Sequence, residues 1–183
     1  MNKFWAIFAI QIFSLLSGCQ QLQPDQVLIP EYPDLENVFR SQVKLLATKS
    51  LEKTVSLDGS SETNTLRLDS VGWANELAFF KEINPNQPGY VGVFQKESNK
   101  DQLTLTLNPE EKGILMQLKL DGVEGAYRRI DAVIHEDKDV YVHHREITVF
   151  FEQNQIRRYS ISGYQKLLFN DTTRFSIEGI LTD

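Results

Sequence analysis

Residues 140–168 read VYVHHREITVFFEQNQIRRYSISGYQKLL, and the alternation in this stretch decides what kind of domain the chain builds. Successive side chains of a strand point to opposite faces. Ile147, Val149 and Phe151 therefore share one face, with Thr148, Phe150 and Glu152 on the other. Gln153-Asn154 interrupts the run with turn chemistry, so two long antiparallel strands are predicted, over 140–152 and 155–168. Gly163, inside the second, predicts a bulge or a bend.

The same period of two extends outward, predicting strands near 90–96, 102–107, 114–120, 129–136 and 175–181, with short polar separators. Connections this short join only antiparallel neighbours, because a parallel crossover needs a dozen residues or more. The result is a curved antiparallel meander of about seven strands. Upstream the period lengthens. Leu35, Val38, Phe39, Val43 and Leu46 recur at helical spacing behind Asp34, a good N-cap, which predicts a helix reaching about residue 49. Asp58-Gly59 between β-branched runs predicts a hairpin over 53–68. Ser70 is expected to cap a second helix over 71–83, carrying Trp73, Leu77 and Phe80 on one face with Ala74 and Ala78 beside them; residues 84–89 end it. The fold class expected is α+β: two helices and a β-hairpin, then the meander.

The start of the chain has a different character. Lys3 precedes a 13-residue apolar run, 4–16, broken only by Gln11 and Ser14 and followed by Leu16-Ser17-Gly18-Cys19. That run is short for a membrane span of about 20 residues but suits a secretory signal. The small pair Ser17-Gly18 before the only cysteine has the form of a lipoprotein cleavage site. Signal cleavage is expected between Gly18 and Cys19, with lipidation of the Cys19 sulfur. Residues 1–18 then form the signal peptide, 19–33 an acylated tether containing Pro24, Pro30 and Pro33, and 34–183 a single domain. Leu28 and Ile29, late in that tether, are alternatively placed against the domain edge.

Composition narrows the chemistry. Nineteen basic and 25 acidic residues give a net charge of −6, and loss of the signal removes only Lys3, leaving −7. This balance argues against nucleic acid and against anionic headgroups, since phosphate binding needs clustered Lys or Arg; Arg128-Arg129 and Arg157-Arg158 read as solvated strand positions. Once Cys19 is acylated no thiol remains for a disulfide or for catalysis. His143 and His144 point to opposite faces and His135 can face only one of them, so no metal site and no cofactor is expected. Ser60, Ser61 and Ser162 lack a nucleophile-elbow context, and Glu110-Glu111 and Asp137/Asp139 read as turn carboxylates. No catalytic residue emerges. The remaining lead is aromatic: Trp73, Leu77, Phe80, Tyr90 and Phe94 are the candidate groove between helix and sheet, with core packing as the plainer alternative.

Residues 34–94, with Lys53-Thr54-Val55-Ser56-Leu57-Asp58-Gly59, Glu62-Thr63, Thr65-Leu66 and the helix at Trp73, together with 161–167, resemble an uncharacterised family of small lipoproteins from Bacteroidota. The resemblance implies an envelope location and assigns no activity. Gln20-Gln21-Leu22-Gln23 lacks the acidic cluster that typically follows the cysteine of surface-exported lipoproteins in that group, which favours the periplasmic face of the outer membrane. The expected function is non-enzymatic: a membrane-anchored domain that binds an envelope protein or a hydrophobic ligand. The alternatives are a carrier resembling the half-barrel family that shuttles acylated proteins, and an envelope hydrolase.

Overall fold

In the computed structural model the described residues are 31–123 and 125–182; Gly18, Cys19, Leu28 and Ile29 lie outside them. Nine strands form one antiparallel sheet: β1 (Ser50–Leu57), β2 (Ser60–Arg67), β3 (Phe94–Asn99), β4 (Gln102–Leu107), β5 (Leu115–Val123), β6 (Ala126–Lys138), β7 (Tyr141–Glu152), β8 (Gln155–Leu167) and β9 (Thr173–Thr182). The order is β2-β1-β9-β8-β7-β6-β5-β4-β3. The seven-strand meander is present, β3 to β9. The hairpin is no separate unit: β1 pairs along its whole length with β9, Ser50 opposite Thr182 and Leu57 opposite Phe175.

Helix α1 (Leu35–Leu45) and helix α2 (Ser70–Glu76) form the second layer, with 3-10 segments at Ala78–Ile83 and Pro88–Tyr90. Because β2 and β3 are opposite edges, the chain between them must cross one whole face, and that crossing is the helical layer. Beneath it lies the core, built from Leu51, Leu105, Leu118, Ile130, Ile147, Val149, Tyr159 and Leu181 of the sheet and Leu35, Leu46, Trp73, Phe80 and Ile83 of the helices.

Asp34 caps α1 as expected, accepting from the Asn37 amide at 3.0 Å. The helix stops at Leu45 because its end is tied to the sheet. Buried Gln42 accepts from the Ile156 amide at 2.8 Å and donates to the Asn154 carbonyl at 3.1 Å. The cap of α2 is Asp69 rather than Ser70, its carboxylate taking the Gly72 amide at 2.7 Å. The single expected helix over 71–83 divides after Glu76 into an α turn and a 3-10 run.

Asp58 and Gly59 make the expected two-residue turn, both with positive φ (47° and 89°), the conformation that matches hairpin twist. The first meander strand starts at Phe94, not Tyr90, because Pro88-Gly89 turn the chain into a 3-10 segment first. Asp121-Gly122 is no turn either: β5 continues to Val123, with the register slipping there. Gly163 sits in unbroken register opposite Arg145. The irregularity of that strand pair is at Phe150/Phe151, and Gly163 is needed because a Cβ would lie 2.0 Å from the His144 carbonyl oxygen. The body also begins earlier than Asp34. Tyr32 is buried edge-on to Phe94, and Asn86 brackets it, taking its amide at 3.0 Å and donating to its carbonyl at 2.9 Å.

Candidate functional site

The five groove residues named from the sequence are all buried. Their rings pack in two groups. Phe80 stacks on Phe39 of α1 at 4.5 Å and meets Tyr159 of β8 edge-on at 5.8 Å. Tyr90 lies 5.3 Å from Phe94 at the β3 edge, its hydroxyl accepting from the Leu115 amide at 3.0 Å. Trp73, Tyr90 and Phe94 are thus interior, and the interface between helices and sheet is filled where they lie. Leu77 and Phe80, though buried, also border a cleft in the helical layer.

That cleft, about 230 Å³, runs between α1 and the α2/3-10 pair. Its floor is Phe39, Val43, Leu77 and Phe80, and its rim carries Glu36, Arg40 and Lys81. Ala74 of α2 and Ala78 at the start of the 3-10 run both line the opening and offer only methyl groups to it. The apolar stripe of α1 and this alanine pair were both visible in the sequence. That they face each other depends on the angle at which the crossing segment is laid over the sheet.

The layer is pinned at one side by a polar triad. Lys53 of β1, Gly179 of β9 and Tyr159 of β8 are in one row of the sheet. The Tyr159 ring lies flat over Gly179, where a Cβ would come within 2.2 Å of it. Its hydroxyl donates to Glu76 of α2 at 2.5 Å, and Lys53 donates to both oxygens of the same carboxylate at 2.7 and 2.9 Å. Burial, then the hydrogen bond to Glu76, push the Tyr159 phenol far up, so it remains a neutral donor throughout the physiological range. Such a group holds a helix in place rather than exchanging protons.

Beyond the triad the same face is less covered. Val55 pairs with Ile177 and Leu57 with Phe175, the β1 pair open to solvent and the β9 pair half-buried. Beside them Arg145 of β7 is paired with Glu82 of the 3-10 run. His143, on this face, lies 6.2 Å from the Phe175 ring, while His144 turns away to stack on Tyr164 and to face His135 at 5.7 Å. Burial, then the Arg145 charge, hold His143 below its ordinary pKa. Among the described residues no cluster of three His, Cys, Asp or Glu side chains could hold a metal ion.

The remaining sequence candidates are dispersed. Ser61 hydrogen-bonds Ser56 at 2.6 Å across the hairpin, and Ser60 and Ser162 are exposed. Arg128 pairs with Asp121 and Arg129 with Asp131. Arg129 and Arg158 flank the Phe150 ring at 5.0 and 4.4 Å on the face without helices. These are local charge pairs rather than a basic surface. The molecule is thus a mainly β protein with a helical layer and apolar openings at the edges of that layer. No family model, curated protein or solved structure matches this chain.

Proposed function

We propose that the protein is a lipoprotein of the bacterial envelope, acylated at Cys19 and held on the periplasmic face of the outer membrane, whose domain binds an apolar chain without catalysing a reaction. The observation that carries the binding role is the cleft beside Ala74 and Ala78. It is apolar at its floor, charged at its rim, and at about 230 Å³ slightly below the usual range for small-molecule sites. That size suits one bulky side chain of a partner protein or a short stretch of an acyl chain. The anchor rests on the order of charge, apolar run, small residues and cysteine over residues 3–19, together with the resemblance to Bacteroidota lipoproteins.

The direct test fills the cleft from an exposed position. Ala78→Phe should abolish binding of a fluorescent fatty-acyl probe while leaving the thermal midpoint within a few degrees. Undiminished probe binding removes the cleft from consideration. Labelled palmitate should enter the wild-type chain and not Cys19→Ala; equal labelling of both refutes the anchor. A second reading, a carrier of lipid or of acylated proteins, is favoured by the open Val55/Ile177 and Leu57/Phe175 pairs. Mass spectrometry finding no lipid in the purified protein would count against it.

A further inference from the structure

At the end of the sheet where β1 turns into β2, the β6–β7 turn and the β8–β9 loop stand side by side and are joined by a hydrogen bond from the Leu168 amide to the Val140 carbonyl, 3.0 Å. They carry the most exposed apolar group among the described residues: Phe169 is 93% exposed, Val140 59% and Leu168 57%, with Leu167 43%. Their main chain joins the two turns, but none of the four side chains belongs to the buried core of the described residues. A free surface normally keeps such side chains apart, and four together at a protruding tip mark a contact surface.

The charges beside the tip are balanced. Lys138 and Lys166, with Asp137 and Asp139, border a shallow hollow of about 560 Å³ whose apolar wall is Val140, Leu167 and Leu168. Mixed charge around an apolar projection fits a zwitterionic headgroup layer, with phosphate available to the lysines and ammonium to the aspartates; it does not fit an anionic surface.

The direction of the chain supplies the second argument. Glu31 accepts from the Gly92 amide at 3.0 Å, immediately before β3 begins. The start of β3 is at the same end of the sheet as the β6–β7 turn and the β8–β9 loop. Three to six strand spacings separate them, roughly 15–30 Å. The residues from Cys19 to Glu31 span at most about 40 Å even fully extended. A tether that leaves the body at this end and is no longer than that lets an acyl group on Cys19 bring this end to the bilayer.

We infer that the Val140/Leu167/Leu168/Phe169 tip inserts into the headgroup layer of a zwitterionic bilayer, as a second and non-covalent membrane contact. The inference rests on the anchor proposed above. Phe169→Cys provides a test of both. In the acylated full chain residue 169 carries the only free thiol, so a thiol-reactive fluorophore adds once; two labels per chain show that the sulfur of Cys19 is free and that the anchor reading fails. In vesicles of phosphatidylethanolamine and phosphatidylcholine the probe at 169 should be quenched by nitroxide-bearing lipid several-fold more than a probe at Lys100→Cys, at the opposite end. Leu168→Asp in the same labelled chain should return the probe to water. If two labels add, Cys19→Ala, Phe169→Cys is added to the same vesicles and depth is read in the same way. Equal quenching at 169 and 100 overturns the inference. Shielding of 169 from water without quenching by lipid overturns it too, because that pattern means a protein contact.

Discussion

Leu51 and Leu57 stand on one strand, face the same side of the sheet and differ only in what crosses above them. Leu51, opposite Leu181, is wholly buried beneath the helical layer, whereas Leu57, opposite Phe175, is 54% exposed. The hydrophobic pattern of β1 treats the two alike. The difference lies in the second layer: α1 and the α2/3-10 crossing cover one half of the sheet face and leave the other half only partly covered. An apolar residue in the first half is explained by stability. In the second half stability does not explain it, since Leu57 and Val55 stay open to solvent.

The comparison is tested most severely by paired truncations. Leu51→Ala should destabilise the fold by about 2–5 kcal/mol, the range for emptying a close-packed site. Leu57→Ala should stay within about 0.5 kcal/mol, as exposed substitutions do. Urea unfolding of both variants at neutral pH measures the contrast. Similar losses at the two positions would mean that the uncovered half is as closely packed as the covered one.

The boundary between the halves is the Lys53–Glu76–Tyr159 triad, and its removal is the next largest effect. Glu76→Ala leaves the Tyr159 hydroxyl and the Lys53 ammonium without their shared acceptor under α2. About 2–3 kcal/mol should be lost. Tyr159→Phe should cost less, since Lys53 and Glu76 keep each other. It also makes a sign-specific prediction about pH. A phenol whose pKa is raised in the folded state stabilises the fold fully below its ordinary value of 10.0 and progressively less as pH rises above it. Wild-type stability should therefore decline above pH 10, and Tyr159→Phe should decline less steeply over the same range. Parallel slopes for the two would mean that the hydroxyl is not held protonated by the fold.

How much of this was legible follows from the range of each interaction. Alternation at Ile147, Val149 and Phe151, the Asp58-Gly59 turn and the Asp34 cap are local signals, and all three produced the structure they predicted. The union of β1 with β9 pairs residues more than a hundred positions apart through main-chain bonds that no side-chain pattern announces. That pairing is what joins the hairpin to the meander and makes the helices cross between two edges of one sheet. The aromatic signal at Trp73, Tyr90 and Phe94 identified core rather than groove, because apolar character does not say whether a partner is internal or external. Gly163, whose place inside a strand predicts a bulge or a bend, is there instead for close approach to a neighbouring backbone. The cleft needed Ala74 and Ala78 to be seen as missing volume opposite α1, a relation between two helices rather than a motif in either.

The smallest predicted effect separates the halves by acid rather than alkali. His143 is in the less covered half, and burial together with the Arg145 charge outweighs the opposing pull of Glu82 and Glu136, so its pKa falls below the ordinary 6.5. A lowered pKa means that the folded chain binds fewer protons than the unfolded chain between the two values, so stability rises with pH across that interval. The contribution is complete above 6.5 and is lost as pH falls through the folded value. His143→Gln keeps a polar side chain beside Phe175 but cannot titrate. Urea midpoints between pH 5 and 8 should therefore fall on acidification less for the variant than for the wild type, with the two curves parallel above pH 7. If a ligand seated on Leu57 and Phe175 covers His143 as well, its binding should deepen the wild-type loss in acid and leave the variant unchanged.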